Sequence, residues 1–134
     1  MITIGITTCN RMKYTKSLLK SLGDEVLKNN QVIIVDNGSK ETGFKEFLET
    51  ESKRIGATFY SRKPKERNWI NDEYIAKNII IENSKFNTIL FLQDDQQYLF
   101  DANTLYHVKS CFDKIDVPSL DVNAVRKVTI YDNF

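Results

Sequence analysis

Two aspartates close the segment Leu90-Phe91-Leu92-Gln93-Asp94-Asp95, and no basic residue adjoins them in the sequence. An apolar run should not end in two like charges unless something offsets them, because a neighbouring carboxylate raises its partner's pKa and a cation lowers it. A hard dication such as Mn²⁺ or Mg²⁺ would do this. It takes oxygen ligands, commonly through one or two carboxylates, and completes its shell with water and substrate phosphates. Asp95 and Asp94 are therefore the candidate metal ligands. The competing reading is a solvated turn after a strand, where Asp is ordinary.

Such a pair does chemistry only if other polar groups meet it, so the elements around it matter. Ile2 to Thr8 is β-branched and apolar and stops at Cys9-Asn10. Tyr14, Leu18, Leu19 and Leu22 then recur at helical spacing, with Gly23 as the expected cap. Gln31 to Val35 reads as a strand ending in the loop signal Asp36-Asn37-Gly38-Ser39. Phe44, Phe47 and Leu48 mark a second helix that stops before Gly56, and Ala57 to Tyr60 a third strand. A basic loop, Arg62 to Arg67, leads to a helix with Asn71 as expected cap and Tyr74, Ile75 and Ile79 on its apolar side. Thr88 to Leu92 is the strand that carries the acids. Beyond them lie a helix over Asn103 to Ile115 and an expected last strand over Val125 to Tyr131.

Strands alternating with helices, and short continuous apolar strands, predict an α/β fold: a mainly parallel sheet with helices on both faces. Ligands of such sheets bind outside the carboxyl ends of the strands. Thr7-Thr8, Asp36-Asn37 and Asp94-Asp95 all fall on that edge.

Composition narrows the function classes. The chain has 134 residues, 41% of them hydrophobic, which is enough for a core and reads as a single domain over 1–134. A net charge of +1 gives no field to draw in nucleic acid. Cys9 and Cys111 lie far apart, the pattern of reduced thiols, so a cytoplasmic setting is expected. Any placement at the inner membrane surface would come from other regions of a longer chain. Gly5 stands alone, with no Walker or GxGxxG pattern near it, so a glycine-rich phosphate loop is not expected.

In order, GITTCNR, VIIVDNGS and AKNIIIENSKFNTILFLQDD resemble the donor-binding half of the family-2 glycosyltransferases, over roughly Ile2 to Gln97. The resemblance implies a GT-A, Rossmann-like fold and a nucleotide-diphosphate sugar as donor. It implies transfer with inversion and a dication on the diphosphate. Thr7, with Thr8 after it, then lies beside the nucleobase, and Asp36, followed by Asn37, bonds uracil or ribose. Asp95 is the direct metal ligand and Asp94 a ribose or water-mediated contact. Lys77-Asn78 stand where the family has Arg-Asn, with Arg67-Asn68 as the alternative; a lysine lacks the planar fork of arginine. Gln93 departs from the first acid of the fuller motif.

The family's general base lies well beyond the acidic pair, in an acceptor-binding half. No motif marks one here, and Asp121 and Asp132 are weak candidates. His107 reads as a surface or packing histidine. A sugar, lipid or protein acceptor is implied, and the chain reads as short of a full acceptor half. The alternative function is a non-catalytic nucleotide-sugar-binding module of the same fold. A response-regulator-like domain ranks last, because its acids would follow the first strand, which here ends in Thr-Thr.

Overall fold

The computed structural model describes residues 1–96 and 102–114. Within them lie β1 (Thr3–Thr8), α1 (Met12–Lys28), β2 (Gln31–Asp36), α2 (Phe44–Ile55), β3 (Thr58–Ser61), α3 (Trp69–Asn83), β4 (Ile89–Gln93) and α4 (Ala102–Lys114). The strands form one parallel sheet in the order β3-β2-β1-β4. Among the described residues no helix is long and apolar enough to cross a membrane. The expected strand over Val125 to Tyr131, the helix end at Ile115, and Asp121 and Asp132 lie outside the described residues.

Helices cover both faces, as the apolar runs required. On one face Ile4, Ile6, Val32 and Ile34 pack against Leu18, Leu22 and Val26 of α1 and Phe44 and Leu48 of α2. On the other, Ile33 and Val35 meet Ala76 and Ile80 of α3. Gly5 sits at the centre of this second face, paired in register with Ile33 and Phe91. A Cβ built on Gly5 would stand 2.5 Å from Ile80 Cγ2, so the absent side chain lets α3 lie close to the sheet.

Four helix details depart from expectation. Gly23 does take a left-handed φ of 74°, but the chain resumes its helix afterwards, and α1 continues through a kink to Lys28. In α1 the buried face runs through Thr15 rather than Tyr14, which is exposed. Thr15 can be buried because its hydroxyl lies 2.8 Å from Thr8 Oγ1 and donates to the Arg11 carbonyl. The cap of α3 is Asn68, whose side chain accepts from Asn71 N at 3.2 Å, three residues before the expected position. Tyr74 and Ile75 are exposed, and Ala76 and Ile80 face inward.

Candidate functional site

The polar strand ends do converge. A cleft of about 520 Å³ opens at the carboxyl edge of β1 and β4, walled by the first half of α3. Its lining includes Thr7, Thr8, Asn37, Lys77, Asp94 and Asp95, six of the residues singled out from the sequence.

Asp94 is buried, 7% exposed. Its Oδ2 accepts from Thr8 Oγ1 at 3.0 Å and from Cys9 N at 3.2 Å. The carboxyl of β4's end thus ties down the turn after β1. Burial pushes the Asp94 pKa up; the bonds from Cys9 and Thr8 and the charge of Arg11 oppose that shift, and Asp95 adds to it.

Arg11 answers the question of the two like charges. It is distant in sequence, but its Nη1 lies 3.5 Å from Asp94 Oδ1 and 3.6 Å from Asp95 Oδ2. The guanidinium bridges both acids from the start of α1 and is half exposed, so it is free to swing away. Asp95 itself faces solvent on the turn after β4.

Would these residues hold a dication? Their donors are oxygens, adjacent, and open to a cleft, which suits Mn²⁺ or Mg²⁺ once Arg11 withdraws. Among the described residues no group of three or more His, Cys, Asp or Glu is arranged around a metal. An ion at Asp95 and Asp94 would need further oxygens from water and a bound phosphate, the usual habit of Mg²⁺.

The remaining residues take different places. Thr7 Oγ1 donates to Glu73 Oε1 at 3.4 Å. Lys77 Nζ lies 3.4 Å from the same carboxylate and 5.9 Å from the centre of the Phe91 ring. Asp36 lies outside the cleft lining: it is buried, and its carboxylate accepts from Ser39 N at 3.1 Å and from Ser39 Oγ. In the basic loop, Arg62 turns inward to Asn37 Oδ1 at 2.6 Å and to Asp72 Oδ1 at 3.3 Å. Arg67 bonds the carbonyls of Asn37 at 2.5 Å and Gly38 at 2.7 Å and reaches Cys9 Sγ at 3.3 Å. His107 is exposed on α4.

The loops after β1 and β2 are stitched together. Asn10 holds a left-handed φ of 53°, and its Oδ1 accepts from Lys40 N at 2.5 Å and Glu41 N at 3.2 Å. Asn10 N donates to Ser39 Oγ at 2.7 Å, and Met12 N to Glu41 Oε2 at 2.9 Å.

Sequence reasoning missed Arg11, Trp69, Ile70, Glu73 and Tyr74, all of which line the cleft. Arg11 could have been found, since it comes three residues after the first strand end. The α3 residues could not, because apolar and polar residues are mixed around that helix and no side stands out.

Cys9 also faces this cleft. Burial pushes its thiol above the ordinary 9.0, the nearby Arg67 offsets part of this, and Asp36 and Asp94 add to the rise. Only the thiolate is nucleophilic, so alkylation of Cys9 by iodoacetamide should stay slow at about pH 7.5 and accelerate as the pH climbs past about 9. Peptide mass mapping measures this, and a free-peptide rate at the lower pH would contradict it.

Among known protein families, Glycosyl transferase family 2 matches over residues 3–117, most of the chain. The chain belongs to that family. A search of curated proteins finds no match. Among solved structures, S. aureus TarS 1–349 superposes with a TM-score of 0.65 at 15% identity, covering 89% of this family-2 chain and 37% of that one. S. aureus TarS gives 0.64 at 17% identity, covering 90% and 23%. TarS 1–349 in complex with UDP gives 0.64 at 16% identity, covering 89% and 37%. At such identity the likeness shows the shared fold. This family-2 chain spans well under half the length of the TarS chains it resembles.

Proposed function

We propose that this family-2 chain binds the donor for a glycosyltransferase that moves a sugar from a nucleotide-diphosphate sugar, UDP-linked, with inversion. The observation that carries the reading is the cleft itself, where Thr7, Thr8, Asn37, Asp94 and Asp95 meet at the edge where parallel sheets bind ligands. A family-2 match and a fold shared with a UDP-bound structure support it.

In this reading the base lies towards β2 and the diphosphate towards β4. Asp95, with Asp94 Oδ1, would hold Mn²⁺ or Mg²⁺. When bound, that ion offsets charge growing on the leaving diphosphate. Arg11, displaced from the acids, stays within reach of phosphate oxygens, and Lys77 adds a second cation in the cleft. The Asp94 carboxylate keeps the turn at Cys9 in place through its two hydrogen bonds. Asp36 supports the β2 loop through Ser39. The acceptor is a sugar, lipid or protein, and Asp121 and Asp132 remain the candidate bases. A cytoplasmic setting, with no nucleic-acid partner, belongs to the same proposal.

A ligand that binds only the folded state raises its stability by about 2.7 kcal/mol at a hundred times Kd. UDP with Mn²⁺ should therefore raise Tm in differential scanning. No shift at millimolar ligand, with the domain folded, would remove the donor reading. Asp95→Ala should abolish the Mn²⁺-dependent part while costing the ligand-free fold only about 0.5 kcal/mol or less, as a solvent-facing substitution does. If that variant bound Mn²⁺ as the parent does, Asp95 would not be the ligand. Assays of donor hydrolysis and sugar transfer separate an enzyme from a binding module that kept the fold.

A further inference from the structure

Trp69, Ile70 and Tyr74 are 67%, 69% and 65% exposed, yet all three wall the cleft. Large apolar side chains left together in water at a cleft wall call for an occupant. Trp69 is also the sole tryptophan of the chain. We propose that its indole is the platform on which the nucleobase of the donor stacks; this rests on the donor reading above.

Three observations place the base there rather than elsewhere. First, the indole is backed by a fixed cation. The Arg67 guanidinium carbon lies 5.7 Å from the ring centre, and that guanidinium is itself anchored on the Asn37 and Gly38 carbonyls. An arginine held in this way steadies the ring from one side and leaves the rest of it to a ligand.

Second, the corner supplies a hydrogen-bonding group of the right kind. Arg62 donates to Asn37 Oδ1, which points the amide NH₂ away from that contact, and Asn37 lines the cleft. An NH₂ group there donates to a carbonyl on the edge of a pyrimidine.

Third, the spacing suits a nucleoside diphosphate. The acids lie at the end of β4 and Asn37 comes just after the end of β2, with β1 between them. Two strand spacings make about 10 Å. A diphosphate at the acids and Arg11 then puts its base at the corner of Asn37, Arg67 and Trp69, with Cys9 beneath the middle.

The lone indole makes the test direct. Emission from Trp69 should be quenched in a saturable way by UMP and by UDP, and left unchanged by pyrophosphate with Mn²⁺. In calorimetry Trp69→Leu should weaken UDP about tenfold, the usual scale of one base–aromatic stack, while Trp69→Phe keeps most of the affinity. Because the side chain is exposed, both variants should melt close to the parent without ligand. UDP binding that leaves both the emission and the Trp69→Leu affinity unchanged would overturn the stacking and spare the donor reading. Quenching by UDP-glucose but not by UMP or UDP would assign the ring to the sugar and overturn it as well. Absence of UDP binding by a folded protein would bring down the donor reading, and the stacking with it.

Discussion

Replacing Gly5 with Val is expected to destabilise the domain by at least about 3 kcal/mol, the upper end of what overpacking usually costs. In an open strand the change would help, because glycine weakens strands and valine suits them. Sterics decide the sign here. An added Cβ would stand 2.5 Å from Ile80 Cγ2 and 2.9 Å from its Cδ1. Ile80 is fully buried and its branch carbon lies close to the helix backbone, so it cannot rotate out of the way. Either α3 lifts from the sheet or the strand bows. For a domain of this size that energy is a Tm drop of roughly 10 °C. Gly5→Ala should show the same sign at smaller size. Ile80→Ala alone costs about 2–5 kcal/mol through the cavity it leaves. Combined with Gly5→Ala it should cost clearly less than the sum, because the new methyl fills that space, giving a coupling of more than about 1 kcal/mol. Thermal or urea unfolding of the four proteins measures this. Additive costs would show that Gly5 and Ile80 do not compete for one volume.

Asp94→Ala should lower stability by about 1–3 kcal/mol, the cost of stranding buried polar partners. The Cys9 N–H and the Thr8 hydroxyl lose their acceptor, and Arg11 loses one of its two carboxylates. Asp94→Asn should hold the fold within about 1 kcal/mol, because one amide oxygen still accepts both bonds and the buried charge disappears. Urea unfolding of the two variants against the parent separates the outcomes. If Asn destabilised as much as Ala, the negative charge, and not the acceptor, would be what holds the β1 turn.

Much of the fold was readable from the residues. Ile2 to Thr8, Gln31 to Val35 and Thr88 to Leu92 are apolar runs of strand length with loop signals after them, and β1, β2 and β4 match these segments closely. A parallel sheet then fixes which edge carries Thr8, Asn37 and Asp94, which is why the cleft could be placed before its walls were known.

The face of α3 could not be read in the same way. Ile70, Tyr74, Ile75, Ile79, Ile80 and Ile81 surround that helix, so periodicity selects no side, and the choice falls to the gap that Gly5 leaves on the neighbouring strand. Gly23 was legible as a left-handed position and not as a kink, because the next segment, Asp24 to Lys28, has its own helical pattern with Val26 and Leu27 buried. Arg11 escaped for another reason. Its place just after β1 marked it as near the binding edge, but its reach to acids on a strand far along the chain is a contact that no local pattern displays.

The stitching by Asn10 has a consequence for dynamics. Loops usually open on their own, at little free-energy cost, while strands open only with the whole domain. Here the amides of Lys40 and Glu41 are held by Asn10, two residues after the end of β1. Their hydrogen exchange is therefore coupled to the turn after the central strand, and whatever loosens that turn loosens the loop after β2 in the same event.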